Sequence, residues 1–276
     1  MAWPGREGAL LRMRVESVDP IASSKSSGAD VIETVDLTKE FKGFVAVKNV
    51  NLRIKRNTVH SLIGPNGAGK TTCFNLITKF LEPTSGTIRY NARDVTKARP
   101  AEVSRLGMVR SFQISSTFPH LTVLENVRVA LQRDTGTQFH FWKPESSLSF
   151  LNARATELIE SVGLANDAKK TAVELSYGRK RALEIATTLA LDPQVLLLDE
   201  PTSGMGNEDV GLITNLIRGL VADRTVVLVE HNLSVVMAVS DVITVLARGE
   251  VLAEGDYSHV SSCKEVVSAY MGHGHA

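Results

Sequence analysis

The sequence makes very little use of cysteine: Cys73 and Cys263 are the two among its 276 residues. They stand far apart and no C-x-x-C pair is present, so neither a disulfide framework nor a zinc site is predicted. A reducing compartment, such as the cytoplasm, fits this composition best.

The chain also lacks an excess of charge and long apolar runs. Its 31 Lys and Arg residues balance 30 Asp and Glu residues, and a net charge of +1 predicts no strong attraction to nucleic acid or acidic lipid. The chain has no run of about 18 apolar residues, which is the length needed to span a bilayer. The arginines near the N-terminus are not followed by an apolar stretch long enough for a secretory signal. With 43% apolar residues, the chain is long enough to bury a sizeable core.

The two ends of the chain lack a regular pattern. Residues 1–30 carry scattered Gly, Pro and Ser without a sustained period, which is typical of a mobile extension, or alternatively of translation that begins at Met13. His273 and His275 in the tail, residues 273–276, could suggest a metal site, but a disordered tail is the simpler interpretation.

Against these absences, one glycine-rich stretch is prominent. Residues 64–72 read GPNGAGKTT and match G-x-x-x-x-G-K-[ST], the loop whose backbone N–H groups cradle phosphates while its lysine and hydroxyl reach the γ-phosphate and Mg²⁺. A short apolar run precedes it, and an apolar helix face follows it, formed by Cys73, Leu76, Ile77 and Phe80. Strand, loop and helix are the context that the motif requires, whereas a turn that binds nothing would need none of it.

Two apolar runs, VLLLDE (195–200) and TVVLVEH (225–231), are typical of strands buried in a parallel sheet, and helical patterns at 153–163, 179–191 and 207–222 complete an α/β fold. Asp199 and Glu200 end the first run, at the sheet edge where ligands bind. We expect Asp199 to hold Mg²⁺ through its water shell and Glu200 to face the attacking water; the alternative is a surface pair before a turn. His231 could donate to the γ-phosphate, and Glu230 receives no role.

A second candidate phosphate-binding element lies in LSYGRKRALEIATTLAL. Ser176 reads as an N-cap and Gly178 permits close backbone approach at the start of an apolar-periodic helix. Taken alone, this pattern equally describes an ordinary capped helix.

In their order along the chain, these elements resemble the ATP-binding cassette of ABC transporters. The resemblance covers roughly residues 31–272 and rests on an aromatic in TKEFKG, the Walker A loop GPNGAGKTT, a Q-loop glutamine in RSFQ, the signature LSYGR, the Walker B run VLLLDE, a D-loop SGMG and a switch histidine in VEHN. It implies an α/β P-loop NTPase with a RecA-like core, an antiparallel β subdomain near residues 31–95 and an inserted helical subdomain at about residues 114–176.

The resemblance also implies a role for each matching residue. ATP would be bound by Phe41, which stacks on adenine, and by Gly64, Pro65, Asn66, Gly67, Ala68, Gly69, Lys70, Thr71 and Thr72. Mg²⁺ would be held by Thr71, Gln113 and Asp199, and catalysis would fall to Glu200, His231 and Gln113. Ser176 and Gly178 of one subunit would close over the ATP held by another, which implies a dimer.

In the signature and the D-loop, the sequence departs from the family pattern at three positions. Tyr177 and Arg179 replace the third and fifth residues of the common L-S-G-G-Q signature, and Gly206 stands where the D-loop often has aspartate. Because the P-loop glycines, Ser176 and Gly178 are intact, we expect ATP turnover to survive these changes.

Further segments, among them FNLITKFLEPTSGTI, LTVLENVRVAL and the terminal AYMG, look like the larger ATPase subunit of branched-chain or hydrophobic amino-acid importers. This branch implies a homodimer or a heterodimer with a second ABC ATPase subunit, two integral membrane permease subunits, indirectly a periplasmic solute-binding protein, no nucleic acid, and a peripheral location at the cytoplasmic face of the inner membrane. Urea importers and the lipopolysaccharide exporter ATPase are similar. A soluble ABC protein acting on ribosomes or DNA would be expected to show tandem cassettes or a basic excess, and a non-hydrolysing switch would not need Glu200 and His231.

Overall fold

The computed structural model describes residues 29–111, 117–134 and 145–271. The chain begins there with a twisted antiparallel sheet of four strands, β1 (Asp30–Phe41), β2 (Phe44–Lys55), β4 (Ser85–Tyr90) and β5 (Arg93–Asp94), in the order β2-β1-β4-β5. The β1–β2 hairpin turns at Lys42 and Gly43, both of which have positive φ, as a tight two-residue turn requires. This sheet is the antiparallel unit expected from the sequence.

The second sheet has six strands in the order β10-β9-β3-β8-β7-β6. These are β3 (Val59–Ile63), β6 (Met108–Arg110), β7 (Val195–Asp199), β8 (Thr225–Val229), β9 (Val242–Ala247) and β10 (Glu250–Gly255). All neighbours are parallel except the β9–β10 pair, and every residue of β3, β7 and β8 is buried. The carboxyl ends of β3, β7 and β8 therefore meet at one edge of the sheet, as predicted.

Nine helices accompany the sheets within the described residues: α1 (Lys70–Ile77), α2 (Pro100–Arg105), α3 (Val123–Leu131), α4 (Asn152–Ser161), α5 (Tyr177–Leu189), α6 (Asn207–Leu220), α7 (Leu233–Val239), α8 (Tyr257–Ser262) and α9 (Lys264–Met271). Short 3₁₀ turns connect several of them. Helices α3 to α6 pack through one apolar cluster onto β7 and β8, while α1 packs between the two sheets in another. Among the described helices none is both long enough and apolar enough to cross a membrane.

Helix α1 is shorter than its apolar pattern predicts. It ends at Ile77, and Phe80, which was expected on its buried face, is 48% exposed beyond the helix end. Two local features stop the helix: the Thr78 hydroxyl donates to the Phe74 carbonyl, and Lys79 adopts a left-handed backbone with φ of 64°. The prediction for Phe80 was therefore wrong, because local backbone geometry overrides the 3.6-residue period.

Several predictions lie outside the described residues. These concern Gln113, the tail 273–276 and, except for its last two residues, the extension 1–30.

Cys73 is buried and Cys263 is half-buried, and neither forms a disulfide. The domain boundaries at residues 31, 114, 176 and 272 stay predictions.

His60 gives the fold a pH dependence. It is fully buried in β3, where its Nε2 lies 2.8 Å from the Thr244 hydroxyl, and burial lowers its pKa from 6.5 to about 4. Because the unfolded chain binds this proton more readily, the contribution of His60 to stability is complete above pH 6.5 and is lost as the pH falls toward 4, for a total of about 3 kcal/mol.

We therefore expect the free energy of unfolding, measured with urea, to fall between pH 7 and pH 5. The control is His60→Gln, which keeps a polar partner for Thr244 but cannot titrate; its pH slope over this interval should be smaller. An equal slope in both proteins would assign the dependence to other groups.

Candidate nucleotide-binding site

The loop of residues 64–69 joins the carboxyl end of β3 to the first residue of α1. Gly64 and Gly69 have positive φ and are packed tightly from behind: an added Cβ would lie 2.1 Å from the Leu246 carbonyl oxygen and 2.5 Å from that of Ala46, respectively. At Gly67, with φ of 76°, an added Cβ would meet nothing within 4 Å. The loop is thus closely packed on one side and open on the other, which fits a cradle for phosphate.

The N-terminus of α1 is suited to an anion. Gly69 caps it in the left-handed region without a side-chain hydrogen bond, and no acidic residue stands in the first turn. The free N–H groups and the positive end of the helix dipole therefore point at the loop without a protein anion to satisfy them. Pro65, Asn66 and Ala68 complete the loop, while Thr71 and Thr72 follow in the first turn with exposed and half-buried side chains, respectively.

Lys70 lies over the loop that it follows. Its Nζ donates to the Gly64 carbonyl at 2.7 Å and to the Pro65 carbonyl at 3.0 Å. Burial lowers the pKa of Lys70, and the charges of Glu200 and Asp199 act in the opposite sense. The P-loop lysine and the two carboxylates predicted from the sequence therefore share one electrostatic environment, although Asp199 lies 129 positions after Lys70.

Asp199 ends β7 with a side chain that is only 2% exposed. Arg110, at the end of the neighbouring β6, donates from Nη2 to Asp199 Oδ2 at 2.8 Å and from Nη1 to Asn75 Oδ1 at 2.5 Å. Burial raises the pKa of Asp199, and the Arg110 cation opposes that rise. Arg110 was not predicted from the sequence, where its one signal is a basic residue that ends an apolar run three positions before Gln113.

Hard oxygen donors of the kind Mg²⁺ prefers are present at this edge, in the Asp199 carboxylate and the Thr71 hydroxyl. The described residues contain no group of three or more His, Cys, Asp or Glu side chains that could hold a metal. Such a sparse set fits Mg²⁺, which keeps several waters and is bound by one or two protein groups together with phosphates.

Glu200 adopts a left-handed backbone with φ of 43°, and its N–H donates to the Val229 carbonyl at 2.8 Å. A non-glycine residue in this region costs roughly 1–2 kcal/mol and is enriched at functional sites. The turn thus begins directly after Asp199, the last residue of β7.

Glu230 has a structural role that its sequence context did not reveal. It is fully buried at the end of β8 and accepts hydrogen bonds from the backbone N–H groups of Thr202 at 3.2 Å, His231 at 2.8 Å and Asn232 at 3.0 Å, and also from the Thr202 hydroxyl. One carboxylate thus joins the loop that follows Glu200 to the loop that carries His231. The His231 side chain is 58% exposed, with Nδ1 at 3.6 Å from Glu230 Oε2.

We expect Glu230→Gln to lower both stability and ATP turnover, because the amide nitrogen would face N–H donors that it cannot accept from. Leaving such buried groups unsatisfied costs about 1–3 kcal/mol. Urea unfolding and the steady-state ATPase rate measure the two effects. The matched control is Glu254→Gln. Glu254 accepts a hydrogen bond of 2.6 Å from the Thr244 hydroxyl and, within the described residues, forms none with the two loops, so this change should affect turnover less. Turnover unchanged by Glu230→Gln would show that the two loops are held by other contacts.

Ser176 is the N-cap of α5, as expected: its hydroxyl accepts from the Arg179 N–H at 3.4 Å. The Gly178 N–H donates to Asp209 Oδ2 in α6 at 3.1 Å. Arg181 fixes the helix to the sheet edge by donating to the Asp199 carbonyl at 3.2 Å. In the part of the chain that the structure describes, Ser176 and Gly178 form hydrogen bonds with α5 and α6 and none with the P-loop of the same chain.

Phe41 ends β1 as the cross-strand partner of Phe44. The two rings are 42% and 67% exposed, and the Lys39 ammonium lies 5.1 Å from the centre of the Phe41 ring. The same hairpin is tied to the P-loop, because Gly249 donates to the Ala68 carbonyl at 3.0 Å and accepts from the Lys48 N–H at 2.8 Å. The aromatic pair thus belongs to the hairpin that is tied to the loop, and the sequence predicted one member of the pair, Phe41.

Comparisons with known proteins agree with this geometry. A family model described as ABC transporter matches residues 47–203. The chain is 37% identical over 249 residues to the high-affinity branched-chain amino acid transport ATP-binding protein BraF of Pseudomonas aeruginosa, covering 88% of this chain and 98% of the relative. It is also 37% identical over 244 residues to the high-affinity branched-chain amino acid transport ATP-binding protein LivG of Escherichia coli, covering 86% of this chain and 95% of the relative.

Solved structures give the same result. The ADP conformation of an ATP-binding cassette of an ABC transporter superposes with a TM-score of 0.76 at 28% identity and covers 88% of this chain and 99% of that chain. A nucleotide-free cassette from an ABC transporter gives a TM-score of 0.74. The RecA-like core, the antiparallel β subdomain and the helical part predicted from the sequence are confirmed. The chain belongs to the ABC transporter family, as one of its ATP-hydrolysing, nucleotide-binding cassettes.

Proposed function

We propose that this chain is the ATPase subunit of an importer for branched-chain or other hydrophobic amino acids. The observation that carries the proposal is the extent of the likeness to BraF and LivG, which spans 98% and 95% of those relatives. The geometry supports the ATPase part: at one sheet edge lie a closely packed glycine loop, a helix N-terminus without a side-chain cap, a lysine and two carboxylates.

In the proposed mechanism, Lys70 and the N–H groups of the loop and of α1 bind the phosphates of ATP. Thr71, Asp199 and Gln113 would hold Mg²⁺, which offsets the charge on the β- and γ-phosphates. Glu200 accepts the proton of the water whose oxygen attacks the γ-phosphorus, and the bond to the β–γ bridging oxygen breaks, giving ADP and inorganic phosphate. His231 donates to the γ-phosphate, with its backbone held by Glu230.

We further propose that two such subunits share their ATP sites, either as a homodimer or with a related second subunit. Ser176 and Gly178 would contact the γ-phosphate bound to the P-loop of the partner. Support comes from the absence, among the described residues, of hydrogen bonds between this element and its own P-loop. Sedimentation of Glu200→Gln with Mg-ATP should show a dimer, and adding Ser176→Arg should prevent it by placing a bulky cation there.

The permease subunits require a docking surface, and an apolar groove beside β6 is suitable. The groove has a volume of about 390 Å³ and is lined by Phe80, Met108, Val109, Arg110, Phe118 and Val129, among others. The Arg110 guanidinium lies 5.4 Å from the centre of the Phe80 ring and also pairs with Asp199. A permease helix in this groove would therefore touch a residue that is bonded to the predicted Mg²⁺ ligand. This location would make the chain a peripheral protein on the cytoplasmic face of the membrane.

We expect Phe80→Ala to reduce permease-stimulated ATP hydrolysis several-fold while leaving the rate of the isolated subunit almost unchanged, since the ring contributes to the groove and not to the P-loop. The measurement is ATPase activity with and without the permease subunits in lipid vesicles. Phe150→Ala, which removes a 59% exposed ring elsewhere on the surface, is the control. If the permease subunits stimulated ATP hydrolysis by both variants equally, the permease would have to bind another surface of the chain.

The importer assignment is tested by transport. The subunit, combined with its permease subunits and solute-binding protein in vesicles that contain ATP, should accumulate labelled leucine or valine. Accumulation of urea without leucine would assign the chain to another ABC system. ATP hydrolysis that no permease subunit stimulates, and that drives no accumulation of any solute, would favour a protein that does not act in transport.

A further inference from the structure

The carboxylate of Asp209 occupies the start of the signature helix α5. Its Oδ2 accepts from the Gly178 N–H at 3.1 Å, and a Cβ built on Gly178 would lie 2.3 Å from Asp209 Cγ. Gly178 is buried and Asp209 is half-buried. The side chain therefore lies directly against the signature glycine, whose lack of a Cβ makes room for it.

Two helix N-termini favour the negative charge at this place. Asp209 is the third residue of α6, whose N-cap, Gly206, supplies no side-chain hydrogen bond, and its carboxylate reaches across to the first turn of α5. At its first turn, each helix presents N–H groups that have no partner within the helix, together with the positive end of its dipole. Ser176 already caps α5 through the Arg179 N–H, so Asp209 serves the neighbouring N–H of Gly178.

The basic residue of the signature does not neutralise this carboxylate by direct contact. The Arg179 guanidinium forms an ion pair with Asp167, which also binds Lys170 at 2.8 Å. In the single chain, an internal anion thus stands at the N–H that the shared-site proposal assigns to the γ-phosphate of the partner.

We propose that Asp209 acts as a competing anion that must leave Gly178 before two subunits can close over ATP. This inference rests on the shared ATP sites of the proposed function. One N–H group cannot serve a carboxylate and a phosphate at the same time, and two anions at van der Waals distance repel each other. Asp209 consequently weakens the ATP-bound dimer, and its return to Gly178 after hydrolysis favours separation of the subunits.

The test uses the full chain with the Glu200→Gln substitution, because the dimer is then not lost through ATP hydrolysis. Asp209→Asn is the informative variant, because asparagine keeps the size and can still accept from Gly178 but carries no charge. We expect its dimer dissociation constant with Mg-ATP, from sedimentation velocity, to fall roughly tenfold, as expected for removing an opposing charge interaction of this type. Mere structural damage would instead weaken the dimer.

Glu208→Gln provides the matched control, since it removes the same charge from the same turn of α6 at an exposed side chain. Its dissociation constant should change less than twofold. A second measurement follows hydrogen exchange of the Gly178 amide without nucleotide, which should become faster in Asp209→Ala.

The outcomes separate the two proposals. A Glu200→Gln parent that dimerises while Asp209→Asn gives no gain, or a loss, overturns the role of Asp209 and leaves the shared site intact. An equal gain with Glu208→Gln would also overturn it, in favour of a general charge effect. A parent that binds ATP but never dimerises, even with the permease subunits, overturns the shared site and this inference with it.

Discussion

Glu200→Gln is expected to reduce ATP turnover by a factor of roughly 10² to 10⁴, the usual contribution of a general base, while ATP affinity stays close to that of the wild type. Glutamine keeps the volume and the hydrogen-bonding capacity of glutamate but cannot accept the proton of the attacking water. The half-buried side chain lies in the electrostatic environment of Lys70, at a turn with φ of 43°. Since glutamine tolerates this backbone no worse than glutamate, the fold should not change.

Single-turnover hydrolysis and equilibrium binding of a fluorescent ATP analogue separate these effects. Glu208→Gln is a suitable control, because it makes the same chemical change at an exposed site eight residues further along the chain. If Glu200→Gln hydrolysed ATP at a rate within threefold of the wild type, Glu200 would be excluded as the general base, and another group at the sheet edge would have to accept the proton.

Lys70→Ala should act on binding. The ammonium now bonds the Gly64 and Pro65 carbonyls and would turn to the phosphates when ATP arrives. A charge-assisted hydrogen bond contributes about 1.5–3 kcal/mol, so its loss predicts ATP binding that is weaker by roughly 10- to 100-fold. Because Lys70 is largely buried near Asp199 and Glu200, its removal also leaves two carboxylates with less compensation at the same edge.

Titration with the fluorescent analogue measures this loss directly. Lys48→Ala is the control, because Lys48 is an exposed cation paired with Glu250 at 2.7 Å and its backbone belongs to the hairpin tied to the P-loop. If Lys70→Ala and Lys48→Ala bound ATP equally well, the assigned loop geometry would be wrong.

The features that the sequence predicted correctly depend on neighbouring residues. The P-loop requires positive φ at Gly64, Gly67 and Gly69, and the strand and helix on either side follow from short-range hydrophobic patterns. The N-cap at Ser176 depends on the N–H three residues later. Phe80 shows the limit of such reasoning, because the left-handed residue at Lys79 ended the helix where the apolar period continued.

By itself, the sequence determined the α/β class, the position of the phosphate loop and the family, since each of these is written in local spacing or in the order of motifs. Only the tertiary structure decided what surrounds the predicted residues: Arg110 bound to Asp199, Glu230 joining two loops, and Asp209 against Gly178. These contacts join residues 89, 28 and 31 positions apart. Buried polar groups must find partners wherever packing brings a donor and an acceptor together, and that choice is made by the fold as a whole.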